Sequence, residues 1–205
     1  MNKAEVINYL HKNLNFSKDS IIKLEIYENM LLDYNQSYNL IAKSTEINLW
    51  ERHILDSAQI VQYLPSETKE ISDFGSGAGF PGLIVAISDG NYKFHVKLYE
   101  KSPIKRKFLS EVSSKLALNV EILGNVYSDN IKSDVIVCRA FKKLEEILSI
   151  SREKIKNRHK LIILKGKNAQ IEINNVSLKS NYRYRLVKSI TNKDSKIIII
   201  DAGKN

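Results

Sequence analysis

Cysteine occurs once in the 205 residues, at Cys138, and proline only three times. A lone thiol excludes an intramolecular disulfide and any four-cysteine zinc site, and no other spacing asks for a metal. No apolar run approaches the length that spans a bilayer. The opening Met1-Asn2-Lys3-Ala4-Glu5 is followed by no signal-peptide core, so the chain reads as cytoplasmic with no membrane contact. Acidic residues are short as well: Asp plus Glu number 23 against 32 Lys plus Arg, a net charge of +9. Such an excess suits a polyanionic partner, because each phosphate neutralised releases condensed counterions. What is present in quantity is apolar, 43% of the chain, enough for a folded domain. The length fits one compact unit with a short extension, and no linker, repeat or low-complexity tract divides it. Residues 1–64 read as an N-terminal helical extension on a 65–205 core, and the protein as a monomer.

The core is organised around Ile71-Ser72-Asp73-Phe74-Gly75-Ser76-Gly77-Ala78-Gly79-Phe80-Pro81-Gly82, a short strand followed by alternating glycines. Glycine accepts positive φ and lets backbone N–H groups approach a ligand, and Pro81 suits the first helical position. The dinucleotide fingerprint G-x-G-x-x-G would need glycine at Phe80. Asp73-x-Gly75-x-Gly77-x-Gly79 instead fits the acidic loop of Rossmann-like methyltransferases. The next strand, Phe94 to Glu100, ends in an acid about twenty residues on, where such folds hold ribose hydroxyls. Gly75, Gly77, Gly79, Phe80 and Glu100 are therefore candidate cofactor contacts.

Upstream, Ala4–Lys12 and Lys18–Tyr34 read as helices. Ser44 is placed to cap a third that ends before Pro65, with Ile47, Trp50, Ile54, Ala58 and Val61 on its buried face. On the border of that face lie His53, Asp56 and Ser57, either a polar cluster facing a cleft or plain helix-surface bonding with an Arg52–Asp56 ion pair. Downstream, β and α segments alternate. A helix runs from Pro81 to about Ser88. Ser102-Pro103 opens another, with Ile104, Phe108, Leu109, Val112 and Leu116 apolar and Lys105, Arg106 and Lys107 on its other face. Val120–Leu123, Asp134–Arg139 and Leu161–Lys165 read as strands, and Leu144–Lys156 as a helix. Tyr182–Ile190 and Lys196–Asp201 form a terminal hairpin, while Ile173–Ser180 stays unassigned. The expectation is a doubly covered α/β sheet of seven strands, mostly parallel, the last antiparallel.

Along nearly its whole length the chain resembles the RsmG (GidB) family of small-subunit ribosomal RNA methyltransferases. The resemblance rests on Tyr38-Asn39-Leu40, Arg52-His53-Ile54-Leu55-Asp56-Ser57, the Asp73–Gly82 loop, Cys138-Arg139-Ala140-Phe141 and Leu164-Lys165-Gly166. It implies a class I, Rossmann-like fold binding S-adenosyl-L-methionine, and N7 methylation of a guanine in the decoding-region loop of 16S rRNA, free or in the small subunit. It also implies cofactor contacts at Gly75, Phe80, Val126, Tyr127 and Arg139. Tyr127 replaces the family's usual glutamate, so its contact would pass through the backbone N–H.

Guanine N7 carries an unshared electron pair, so its methylation needs no base, which agrees with the lack of an Asn/Asp-Pro-Pro-aromatic tetrad after the fourth strand. Cys138 lacks the adjacent proline of a covalent pyrimidine-methylating site and reads as a packed strand residue. Arg139 is the candidate catalytic residue, able to meet a carboxylate or guanine O6 through paired bonds. His53 is a second candidate, orienting the guanine. Lys105, Arg106, Lys107 and Lys165 are candidate RNA contacts. Two other readings remain open: an RNA-binding assembly factor without turnover, and a small-molecule methyltransferase.

Overall fold

A computed structural model describes residues 1–88, 94–128, 130–176, 178 and 182–203. Its centre is a seven-stranded sheet: β1 (Glu70–Phe74), β2 (His95–Tyr99), β3 (Val120–Leu123), β4 (Val135–Arg139), β5 (His159–Lys165), β6 (Tyr182–Lys188) and β7 (Lys196–Ala202). The spatial order is β3-β2-β1-β4-β5-β7-β6. The first five strands are parallel to one another, and β7 runs antiparallel to both β5 and β6. Order reverses between β1 and β4, the switch point where a crevice opens beyond the strand ends.

Helices cover both faces. Strand residues such as Ile71, Val96, Leu98, Val137 and Ile199 pack with α1 (Lys3–Leu14), α2 (Lys18–Tyr38), α4 (Gly82–Ile87) and α5 (Pro103–Lys115). Phe74, Ile136, Cys138, Ile163 and Ile200 pack on the other side against α6 (Leu144–Lys154) and α7 (Ala169–Asn174). Covered twice, β4 and β5 are apolar almost throughout rather than alternating. The leader helices share the core: Tyr27 of α2 is fully buried and its hydroxyl donates to the Ala78 carbonyl in the glycine turn at 2.8 Å.

The structure corrects several expected boundaries. α2 runs a turn further, to Tyr38. α7 occupies the start of the unassigned stretch, whose residues 177, 179 and 180 lie outside the described residues. The largest departure is the third helix. Lys43–Asn48 is 3₁₀, Trp50–Leu55 is wound as π-helix, and only Asp56–Ala58 (α3) is α-helical. Ala42 rather than Ser44 precedes it, with no side-chain cap, and Ile47 is 89% exposed because the changed winding turns it outward. A π turn inserts an extra residue and re-aims the side chains beyond it, a feature found often at functional sites. Ile104, assigned to the buried face of α5, is likewise exposed. Pro81 precedes α4 instead of opening it, after a cis peptide bond.

Candidate active site

At the switch point a cavity of about 480 Å³ is lined by Gly75, Gly77, Phe80, Glu100, Val126, Tyr127 and Arg139, together with His53 and Lys105. Sequence reasoning missed Leu40, Ile41, Asn125 and Phe141 in that lining. Leu40 ends the Tyr38-Asn39-Leu40 motif, Ile41 follows it, and Phe141 lies inside Cys138-Arg139-Ala140-Phe141, so a signal was there. Gly79 is not in the lining. At φ +107° it lets the turn press on α4, where a Cβ would fall 2.5 Å from a Leu83 methyl. Gly75, at φ +77°, would place a Cβ 2.4 Å from the Phe141 ring.

Five amides of the turn are already bonded within the protein. Gly75 and Ser76 N–H donate to the Tyr99 carbonyl at 2.9 and 3.0 Å, Gly79 and Phe80 N–H to the Ser76 carbonyl, and Gly77 N–H to Glu100 Oε2 at 2.9 Å. The expectation of ligand-facing N–H groups is corrected at these five positions, because the neighbouring strand end satisfies the turn first. The Tyr127 N–H is likewise taken, by Asn125 Oδ1 at 3.1 Å. Glu100 is fixed at both oxygens, Oε1 accepting from Ser102 N–H at 2.8 Å. Each oxygen keeps a lone pair for a hydroxyl donor.

Below the turn, Asp73 is fully buried. Oδ2 accepts from Gly82 N–H at 2.9 Å, and Oδ1 has no partner. Burial pushes its pKa up to about 7, against the pull of the Gly82 bond.

Arg139 ends β4 and is the centre of a polar cluster. Its Nη1 donates to the Arg52 carbonyl at 3.0 Å and to Asp56 Oδ2 at 3.2 Å, and its Nη2 to His53 Nδ1 at 2.6 Å. The guanidinium lies 4.9 Å from the Phe80 ring centroid, on which His53 also stacks. These bonds use three of five N–H donors, leaving two for a ligand. Asp56 thus pairs with Arg139, not with Arg52. Its Oδ1 accepts from Gln59 Nε2 at 2.9 Å and Thr191 Oγ1 at 2.7 Å, tying the β6–β7 turn to the site. Ser57 turns away into the core.

His53 Nε2 lies 2.9 Å from Thr45 Oγ1, whose hydroxyl donates to the Ala42 carbonyl at 2.7 Å. Both ring nitrogens are therefore spent within the protein, and His53 positions Arg139 instead of holding a base. Burial, then Arg139 and Arg52, lower its pKa to about 3. Cys138 is buried and burial pushes its thiol far up, as a packed residue requires.

Of the candidate RNA contacts, Arg106 bonds the Glu100 and Lys101 carbonyls at 3.0 and 2.7 Å, and Lys165 bonds Glu172 and the Lys142 carbonyl at 2.8 and 2.6 Å. Both are structural in this state. Lys107 is exposed, and Lys105 lines the cavity.

Known proteins agree with this architecture. The chain is 36% identical over 200 residues to a ribosomal RNA small subunit methyltransferase G of Pelagibacter ubique, covering 94% of each chain. It is 34% identical to that of Orientia tsutsugamushi, covering 96% of this chain and 98% of the relative. In fold it is similar to a SAM-dependent methyltransferase from Aquifex aeolicus (TM-score 0.56, 16% identity, 75% of this chain and 92% of that one). An RNA methyltransferase from Salinibacter ruber, in complex with S-adenosyl-L-homocysteine, is comparable (TM-score 0.54, 12% identity, 73% and 91%). The family model described as rRNA small subunit methyltransferase G matches residues 20–199, spanning the π turn, the glycine turn and Arg139 alike, and the chain belongs to that family.

Proposed function

We propose that the protein transfers a methyl group from S-adenosylmethionine to N7 of a guanine in the decoding-region loop of 16S rRNA. One observation carries the reading: a single cavity at the switch point brings Gly75, Glu100 and Arg139 together. Its volume lies within the roughly 300–1,000 Å³ of small-molecule sites. Glu100 has lone pairs for ribose hydroxyls, Val126 and Phe141 offer apolar wall, and the missing Cβ of Gly75 is what lets the Phe141 ring pack against the turn. Gly75, Gly77, Phe80, Glu100, Val126, Tyr127 and Arg139 would hold the cofactor, which supplies an electrophilic methyl on a sulfonium. Gly79 supports them by seating the turn on α4.

What remains for the chain is orientation and charge stabilisation. An N7 acceptor brings no proton to remove, which suits a site where His53 Nδ1 accepts from Arg139 and Asp73 is sealed beneath the turn. The two spare Arg139 donors suit a cofactor carboxylate or guanine O6. The protein acts as a cytoplasmic monomer without metal in this reading. Incubating it with small subunits and tritiated S-adenosylmethionine should label one guanine at N7. Label at another atom, or none on naked rRNA or subunits, would overturn the assignment.

A further inference from the structure

The positive charge is unevenly placed. Residues 1–140 carry sixteen Lys plus Arg against seventeen Asp plus Glu, whereas residues 141–205 carry sixteen against six. The excess therefore belongs to the C-terminal stretch of the chain that contains β5, β6 and β7.

Within that stretch, Lys165 is directly opposite Lys196, and Lys196 directly opposite Lys188, at the end of the sheet where Arg139 and the glycine turn lie. Lys165 is neutralised by Glu172 at 2.8 Å. The side chains of Lys188 and Lys196 have no hydrogen bond or ion pair among the described residues. Like charges directly opposite on adjacent strands destabilise a sheet. A lysine on an edge strand guards against edge-to-edge pairing, which accounts for Lys188 on β6 but not for Lys196 on the interior strand β7. The turn between them adds the exposed Lys193.

This corner also opens toward the reaction site. Lys196 lines a second cavity, of about 190 Å³, with Asp56, Gln59, Arg139 and Ser189. The turn is fastened there, since Ile190 N–H donates to Gln59 Oε1 at 2.9 Å and Thr191 to Asp56. Tyr184, on the same face of β6 as Lys188 and 49% exposed, presents a ring on which a base can stack.

We propose that Lys188, Lys193 and Lys196 form a phosphate-binding corner that carries the substrate RNA strand past Arg139. The inference rests on the RNA-methyltransferase reading but concerns residues outside the cofactor pocket. Phosphates of the bound strand would offset the Lys188–Lys196 repulsion, which the free protein bears unrelieved.

The test uses the full chain carrying K188Q and K196Q, with purified 16S rRNA titrated at several salt concentrations. The expected result is an affinity about tenfold lower at roughly 0.1 M salt, with the log–log salt slope reduced by about two. S-adenosylmethionine affinity should not change. A control variant, K115Q/K132Q, removes equal charge where α5 ends and just before β4, at the opposite end of the sheet, and should bind as wild type does. Unchanged RNA affinity and slope in K188Q/K196Q, or an equal loss in the control, would overturn the proposal. If the corner variant loses RNA while the wild type transfers no methyl, the corner stands and the enzymatic reading falls.

Discussion

His53 Nδ1 accepts a hydrogen bond from Arg139 Nη2 at 2.6 Å, and this fixes the protonation of the imidazole. A guanidinium cannot accept, so Nδ1 must be bare and the ring proton must sit on Nε2, facing Thr45. A second proton would have to displace Arg139. The lowered pKa, about 3, has the same origin in burial and cationic neighbours. Nitrogen NMR of labelled protein should show His53 in the Nε2–H form, unchanged between pH 8 and 5. A titration near 6.5 would contradict the bond.

Asp56 connects two parts of the molecule through its two oxygens, Arg139 on one and the β6–β7 turn on the other. Asp56→Asn keeps the size but removes the charge, leaving the half-buried guanidinium without its counterion. A stability loss of about 1–3 kcal/mol is expected, as for a polar group stripped of its partner. Methyl transfer should fall about tenfold or more because Arg139 loses its orientation. Melting curves and initial rates measure the two separately.

Much of the fold and part of the site are legible in the sequence, for reasons visible in particular residues. Apolar runs such as Val135–Val137 and the glycines at 75, 77 and 79 specify a doubly covered sheet and its turn, because local chemistry and global fold agree there. The winding of residues 43–58 is not legible. An apolar stripe with a plausible cap describes an α-helix equally well, and the contacts that accompany the π turn, the Arg139 bonds to Arg52, His53 and Asp56 among them, join residues far apart in the chain. The engagement of the turn's amides is hidden for a related reason: the acceptor that claims Gly75 and Ser76 is a backbone carbonyl, which no side-chain pattern announces. The same holds for the pairing of Asp56, since Arg52 stands four residues away and Arg139 is joined to it only through the sheet.

Two glycines should respond differently to alanine. At Gly82 a Cβ would lie 2.4 Å from a Leu98 methyl and 2.6 Å from Asp73 Oδ2, both in the packed core. Gly82→Ala should cost about 1–3 kcal/mol through overpacking. At Gly77 the nearest atom is 3.9 Å away, so Gly77→Ala costs only the positive φ, about 1 kcal/mol. Denaturant titration of both variants tests the ranking.

Asp73 should leave a signature in stability against pH. Its folded pKa, about 7, is raised above an unfolded value near 3.9. Such a group favours the native state most below the unfolded pKa, and that contribution is lost as pH climbs through the folded pKa. Other carboxylates titrate over the same range, so the measurement is a difference. Relative to Asp73→Asn, the wild type should lose ground steadily between pH 4 and pH 7 and level off above. A flat difference would mean that the carboxyl stays ionised throughout.

Arg139→Lys separates geometry from charge at the centre of the site. Lysine keeps the positive charge, so the attraction to Asp56 largely survives. Its single ammonium has three donors and cannot reach the Arg52 carbonyl, Asp56 and His53 while presenting a planar fork to a ligand. His53 Nδ1 would then lack its Arg139 donor, and its nitrogen chemical shift should move, readable by NMR without any substrate, while burial and the retained cation still hold the pKa low. Cofactor affinity measured by calorimetry should fall about tenfold or more, as loss of a paired, charge-assisted contact implies. If affinity held while the His53 Nδ1 shift moved, Arg139 would be a structural tie between β4 and the π turn, and its ligand-binding role would be withdrawn.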